Sequence, residues 1–275
     1  MLEYPEARVL AAQINNNLIN RQVMSVVVNR SPHKFAWFKG DPNAYPALLQ
    51  GRSIKGATAF GGMVEIDFDG VLLVIGDGTS LTWYPSDAAV PPKHQLLLDL
   101  DDRSTLVCSV QMYGGIWAFP KDTFENPYYI GAKKGIPLTD PSFTYELFAD
   151  KARLFGNLSL KAFLATEQRF VGLGNGVLQD ILFKAKLHPK AKVPTLDDPK
   201  LKGLYQAIVD EIKSMIKLGG RVGETDLFNR HGGYVTIGSR YANKETCPNC
   251  QASFVKEPYM GGSIYYCPNC QPLVK

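Results

Sequence analysis

The sequence has no run of 18 or more apolar residues, which excludes an α-helical membrane span. Its opening stretch, MLEYPEARVL, is acidic where a secretion signal needs a basic region and an apolar block, so we expect a soluble protein of the cytoplasm, nucleoid-associated in a bacterium. There is no internal repeat and no low-complexity segment. With 45% hydrophobic and 20% charged residues, a disordered chain is excluded too. Histidine is scarce: His33, His94, His188 and His231 share no metal-ligand spacing, and each reads as a surface or turn residue. Trp37, Trp83 and Trp117 all fall in β-rich runs and read as core. What remains is a chain of 275 residues, long enough for a substantial core and about two domains.

Cysteine is also sparse, but its placement is informative. Of five, Cys108 sits in the apolar run TLVCSV and reads as a buried strand residue. The others form two C-x-x-C knuckles, Cys247–Cys250 and Cys267–Cys270, with sixteen residues between the pairs. Each knuckle bends the backbone so that both sulfurs face one ion, and this spacing matches a structural zinc site. The alternative, a disulfide pair, fits poorly with a chain expected in a reducing compartment. The intervening residues read as two short strands around Met260-Gly261-Gly262.

Charge is unevenly distributed. Residues 1–150 hold 12 Lys/Arg against 16 Asp/Glu, residues 151–221 hold 13 against 6, and residues 222–275 hold 5 against 4. A basic middle segment suggests a polyanion partner; its bland reading is a solvated Lys-rich helical face.

Patterning gives the architecture. Residues 5–18 read as an amphipathic helix, with Pro5 in the first turn, Glu6 at the positive end of the dipole, and Leu10, Ile14 and Leu18 on one face. From about 22 to 120, short β-rich runs (QVMSVVV, GMVEIDF, VLLVI, SLTWY, HQLLLDL, TLVCSV, GIWAF) alternate with Gly, Pro and Asp turns, as in a sandwich or barrel. Residues 121–142 show little periodicity. Helical spacing then marks 143–154, 159–165, 175–187 and 196–218, with Ser159 as an N-cap and Gly219-Gly220 as a terminator. Residues 221–246 read as irregular. The expected fold is therefore α+β and multidomain: an N-terminal β-sandwich domain with one N-terminal helix (1–125), a linker (126–142), a helical domain (143–235) and a zinc-finger β-hairpin (236–275).

Between two of the helices lies Phe170-Val171-Gly172-Leu173-Gly174-Asn175-Gly176-Val177, which places Asn175 at a helix N-terminus. Glycines let such a turn approach a ligand closely, and helix N-termini offer free N–H groups to phosphate. Alone, this is a weak signal. It occurs in order with Glu3-x-Pro5-Glu6 before it, and with His188-Pro189 and Tyr266-Cys267-Pro268-x-Cys270-Gln271 after it. Together these landmarks, spread over the whole chain, resemble the formamidopyrimidine-DNA glycosylase / endonuclease VIII family of base-excision repair enzymes.

The resemblance implies a β-sandwich, a helix–two-turn–helix domain and a zinc finger. It also implies bifunctional glycosylase/AP lyase chemistry on a damaged base flipped from double-stranded DNA, by a protein expected to be monomeric. On this pattern the N-terminal amine forms a Schiff base with the deoxyribose, Glu3 carries protons, Gly172, Gly174 and Asn175 belong to the DNA-gripping loop, and Cys247, Cys250, Cys267 and Cys270 hold zinc. The chain departs from the pattern in four places. Leu2 stands where the family has its nucleophilic Pro; with a large residue second, Met1 is expected to stay, and its α-amine becomes the Schiff-base former. Gly62 stands in place of a strand Lys, and Gly262 in place of the finger Arg. The family's wedge segment has no match beyond Val110–Gly114, where Met112 and Tyr113 could plug a flipped-base gap or be strand core. Two further readings follow: a catalytically silent damaged-DNA-binding protein of the same fold, with Glu3 merely capping the first helix, and an RNA-binding zinc-ribbon protein, which would need exposed aromatics on a β-face.

Overall fold

The computed structural model describes residues 1–239 and 246–273; residues 240–245 of the irregular stretch and the final two residues of the expected finger lie outside the described residues. In order, the elements are α1 (Tyr4–Asn17), β1 (Val23–Val28), β2 (Ala36–Phe38), α2 (Tyr45–Leu49), β3 (Gly56–Phe60), β4 (Met63–Phe68), β5 (Val71–Tyr84), β6 (Leu96–Leu100) and β7 (Thr105–Pro120). They continue with α3 (Pro127–Lys134), α4 (Tyr145–Leu154), α5 (Leu160–Ala165), α6 (Asn175–Lys184), α7 (Asp198–Lys217), β8 (Val255–Tyr259) and β9 (Gly262–Tyr266). No helix among the described residues is long and apolar enough to cross a membrane.

Two pairs of expected short strands are fused. VLLVI and SLTWY are one strand, β5, and TLVCSV and GIWAF are one strand, β7. The glycines that read as turns mark a bend in this antiparallel ribbon. A Cβ at Gly78 would lie 2.5 Å from the Tyr113 carbonyl oxygen, and one at Gly114 would lie 2.2 Å from Thr79 Oγ1. Beyond the bend, β6 and then β1 flank one end of the ribbon, while β4 and β3 flank the other; β2 adds a short parallel edge to β7. Side chains from both ends (Leu81, Leu96, Leu98 and Leu106 from one; Val64, Ile66, Leu73 and Ile116 from the other) share one core. That shared core makes the folded sheet a sandwich.

The first helix spans two cores. Leu10 and Ile14 pack into the sandwich, whereas Tyr4 belongs to the helical core with Phe148, Phe163, Leu173 and Leu178. Residues 1–3 are thereby held at the seam between sheet and helices. The segment expected as a linker carries α3, whose Tyr129 and Ala132 pack on the outer sheet face beside Trp117 and Phe119. Asn126 caps it by accepting from the Tyr129 N–H. Ser159 and Asp197 cap α5 and α7, and α7 ends at Gly219 and Gly220, both at positive φ.

The finger hairpin pairs Val255–Tyr259 with Gly262–Tyr266 across Met260 and Gly261, both left-handed, as a two-residue turn requires. It docks on the helical body through polar contacts. Gln271 donates to the Leu187 carbonyl at 2.8 Å and accepts from the Cys267 N–H at 2.9 Å. Asp180 of α6 accepts from the Ile237 and Gly238 N–H groups.

Candidate active site and nucleic-acid interface

The chain start is threaded along the seam by backbone hydrogen bonds. The Leu2 N–H donates to the Asp77 carbonyl at 2.7 Å, the Tyr4 N–H donates to the Gly172 carbonyl at 2.8 Å, and Arg221 Nη2 donates to the Met1 carbonyl at 3.3 Å. Leu2 itself packs against the sandwich core. Met1 is left partly exposed at a cavity of about 190 Å³, lined also by Glu6, Thr79, Gln111, Glu224 and His231. Its amine donates to Glu224 Oε2 at 2.5 Å. Burial raises the Glu224 carboxyl above the usual range, although the amine and Arg221 pull the other way.

Glu3 is 5% exposed and is the N-cap of α1, in a capping box with Glu6, and its carboxylate also serves another helix. Oε1 accepts from the Gly176 N–H and Oε2 from the Val177 N–H, both at 2.8 Å, so a protein carboxylate sits on the N-terminus of α6. The glycine-rich loop makes room for it. A Cβ at Gly174 would lie 2.5 Å from the Glu3 carboxyl carbon, and one at Gly176 would lie 1.8 Å from Arg221 Nη1. Gly172, at φ +76°, lies against the Gly61–Gly62 turn, where a Cβ would come within 2.3 Å of backbone. These glycines cradle a carboxylate and a turn of the same chain.

Arg221 completes this buried cluster. It donates from Nε to Glu6 Oε1 at 2.9 Å and from Nη2 to Glu6 Oε2 at 2.8 Å, with Glu3 Oε1 3.5 Å from Nη1. Burial alone would raise the Glu6 carboxyl and lower the guanidinium; their pairing outweighs it, holding Glu6 below and Arg221 above their ordinary ranges. Neither Arg221 nor Glu224 carries a local motif. Both lie more than 200 residues from their partners in sequence, so spacing gave no signal for them.

The departures from the family pattern have structural surroundings. A Cβ at Gly62 would lie 2.9 Å from the Leu2 carbonyl oxygen, so the chain start fills the space where a longer residue would begin. Asn175 does begin α6, and its Nδ2 donates to the Ser263 carbonyl of β9 at 3.0 Å. A side chain started at Gly262 would begin 3.5 Å from both Asn175 Nδ2 and Lys161 Nζ. Lys161 is buried, donates to the Tyr259 carbonyl, and has its pKa lowered by burial. It is a cation at the finger turn that the sequence reading passed over.

Several expected core assignments are corrected. Trp37 lies on the short edge strand β2 and is exposed, its ring 5.6 Å from that of Tyr113. Met112 is 66% exposed and Tyr113 half-buried, because both fall at the bend of β7 and not in its packed ends. Trp83 is half-buried and Trp117 buried. His94 and His188 are buried, not surface residues: His94 Nδ1 bonds the Pro91 carbonyl, and His188 stacks 4.2 Å from Tyr266 while accepting from the Lys190 N–H. Cys108 is buried as expected, its thiol pushed up to about 12. The basic segment is partly neutralised in place: Arg153, Arg169, Lys184, Lys190, Lys200, Lys202 and Arg221, seven of its thirteen cations, lie within 4 Å of carboxylates.

Cys247, Cys250, Cys267 and Cys270 converge, with all four Sγ atoms within 4.8 Å of one another and none in a disulfide. Two of the separations are 3.7 and 3.4 Å. A tetrahedral zinc with sulfurs at about 2.3 Å needs them roughly 3.8 Å apart, so the donor set fits a metal ion. The Ala252 N–H helps hold the exposed Cys250 thiol down to about 7.

A bent sandwich, a helical body with a glycine-rich turn and a four-cysteine hairpin define a three-part class of proteins. No protein-family model matches the chain. Full-length relatives do: a formamidopyrimidine-DNA glycosylase of Cytobacillus firmus is 24% identical over 98% of this chain and 100% of its own length. Another, of Streptococcus thermophilus, is 26% identical over 98% and 99%. The fold matches Fpg of Lactococcus lactis in complex with DNA containing an abasic site, with a TM-score of 0.82 at 22% identity over 98% of this chain and 99% of that one. Over nearly its whole length the chain is thus similar in sequence to formamidopyrimidine-DNA glycosylases and has the fold of Fpg.

Proposed function

We propose that this protein is a bifunctional DNA glycosylase/AP lyase whose nucleophile is the α-amine of Met1. The observation that carries the reading is the placement of that amine at the mouth of a cavity, beside a carboxylate and on a backbone fixed at the domain seam. A damaged base flipped from duplex DNA would enter the cavity, and C1′ of its deoxyribose would meet the amine. Attack there expels the base and leads through ring opening to a Schiff base, from which strand cleavage follows by elimination. Leu2 cannot take this role while Met1 remains, since its nitrogen is then a peptide amide whose N–H donates to the Asp77 carbonyl.

Asn175 and the start of α6, the exposed Met112 and Tyr113, and the finger turn near Lys161 are the groups we assign to DNA. Zinc on the four cysteines would fix the hairpin, which is too small to fold on its own core. The loop at Gly223–Thr225 lines the cavity and would help set which base is accepted.

The silent-binder reading has one observation in its favour: the amine is tied up in an ion pair with Glu224. The two readings separate on duplexes carrying formamidopyrimidine or 8-oxoguanine, lesions present in DNA bound by structural relatives. The enzyme reading expects free base to be released with multiple turnovers. A protein that binds these duplexes and releases none supports the silent binder.

A further inference from the structure

The geometry points to Glu224 as the residue that takes the proton of the N-terminal amine and passes it to the departing base. The assignment rests on the enzyme reading above and concerns this chain's own arrangement. Glu3, two residues from the amine, already has each oxygen accepting a backbone N–H at 2.8 Å, with Arg221 3.5 Å away. Those contacts hold the Glu3 carboxylate on the start of α6. Glu224 is placed differently: its Oε2 is 2.5 Å from the amine nitrogen, and the residue lines the cavity that would receive the base.

Charged groups facing Glu224 are the amine itself, Arg221 and, on the repulsive side, Glu6; His231 lines the same cavity. Burial raises the carboxyl's affinity for a proton, which suits a group that must accept one and then release it. In the first step the ammonium gives one proton to the Glu224 carboxylate, leaving a neutral amine and a neutral acid. The amine's lone pair then forms a bond to C1′ as the bond from C1′ to the base breaks, and the base leaves with that electron pair. Glu224 donates its proton to the leaving base and returns to the carboxylate. The nitrogen, still carrying two protons, gives one to the ring oxygen as the sugar opens, which leaves a protonated imine. Three protons start on nitrogen and finish on the base, the ring oxygen and the imine, and the summed charge of amine, Glu224, sugar and base is zero at the start and at the end.

The test uses the full-length protein and its Glu224→Gln and Glu224→Asp variants. Gln keeps the shape and removes the proton carrier, and binding to undamaged duplex serves as the folding control. We expect Glu224→Gln to release damaged base about 100-fold more slowly or worse, with Glu224→Asp partly restored. Borohydride trapping on a preformed abasic site needs no leaving base. It should persist in Glu224→Gln, since the amine and the backbone that holds it are unchanged. Base release at the parental rate, or trapping lost together with base release, overturns the assignment. Absence of trapping by the parent protein instead overturns the underlying enzyme reading, and the assignment with it.

Discussion

Replacing Arg221 by Met should expose how much of the site depends on one buried cation. The guanidinium sits between Glu3 and Glu6, all three about 5% exposed. Removing it leaves two buried carboxylates: Glu3 keeps the Gly176 and Val177 N–H groups, and Glu6 loses both guanidinium bonds while keeping the backbone N–H groups of residues 3 and 221. Breaking a buried pair by deleting one member costs about 3–5 kcal/mol, because the other charge stays buried and uncompensated. At roughly 2–4 °C per kcal/mol for a chain near this size, the melting temperature should fall by about 10 °C at pH 8. The pH dependence fixes the mechanism. In the parent, the lowered Glu6 carboxyl contributes stability that is present above its unfolded pKa and lost as pH falls through the folded value. In Arg221→Met, only backbone N–H groups still oppose burial, which raises that carboxyl, so the variant suffers most at neutral and higher pH and recovers as Glu6 takes a proton. Thermal melts followed by circular dichroism at pH 8, 6.5 and 5 should show the gap between parent and variant narrowing. A variant melting within about 2 °C of the parent at pH 8 would refute the reasoning, as would a gap that widens in acid.

Cys250→Ser should reduce bound zinc, measured by elemental analysis, and weaken DNA affinity while far-UV circular dichroism keeps most of its helical signal. Asn175→Ala should weaken binding to all duplexes about equally, since phosphate contacts position and do not specify, and a loss confined to one lesion would contradict this. The variant also removes the Asn175–Ser263 contact, so protease sensitivity of the finger should rise in the same protein. Gly62→Lys, which restores the family's residue type, should reduce activity and stability, because its Cβ would meet the Leu2 carbonyl at 2.9 Å. Combining it with a change at Leu2 is the route by which it could be tolerated.

The convergence of the four cysteines, the helix boundaries near Ser159 and Gly219, and the start of α6 at Asn175 were legible because each rests on local chemistry: knuckle spacing, a capping side chain, a left-handed terminator. The two long strands were not, because Gly76–Gly78 and Gly114–Gly115 signal turns in any short window. Only the pairing of β5 with β7 shows them as positions of close approach. The exposure of Trp37 was misread, and that of Met112 left open, for a related reason, since a β-rich run does not tell which of its residues lie at a bend or an edge. At the site, Glu3 was legible but its partner was not. The sequence offers Glu3 as a proton carrier or as a cap of its own helix; nothing local signals that its carboxylate also accepts from the start of a helix more than 170 residues away. Arg221 and Glu224 were invisible to pattern for the same physical reason: tertiary contact, not spacing, puts them against the chain start.

The most direct test of the account is to trap the protein on abasic-site DNA with borohydride, digest it and locate the modified residue by mass spectrometry. The account predicts a covalent adduct on the α-amine of Met1, with Met1 retained ahead of Leu2. An adduct on a lysine, an adduct on Leu2 after loss of Met1, or no adduct at all would contradict it.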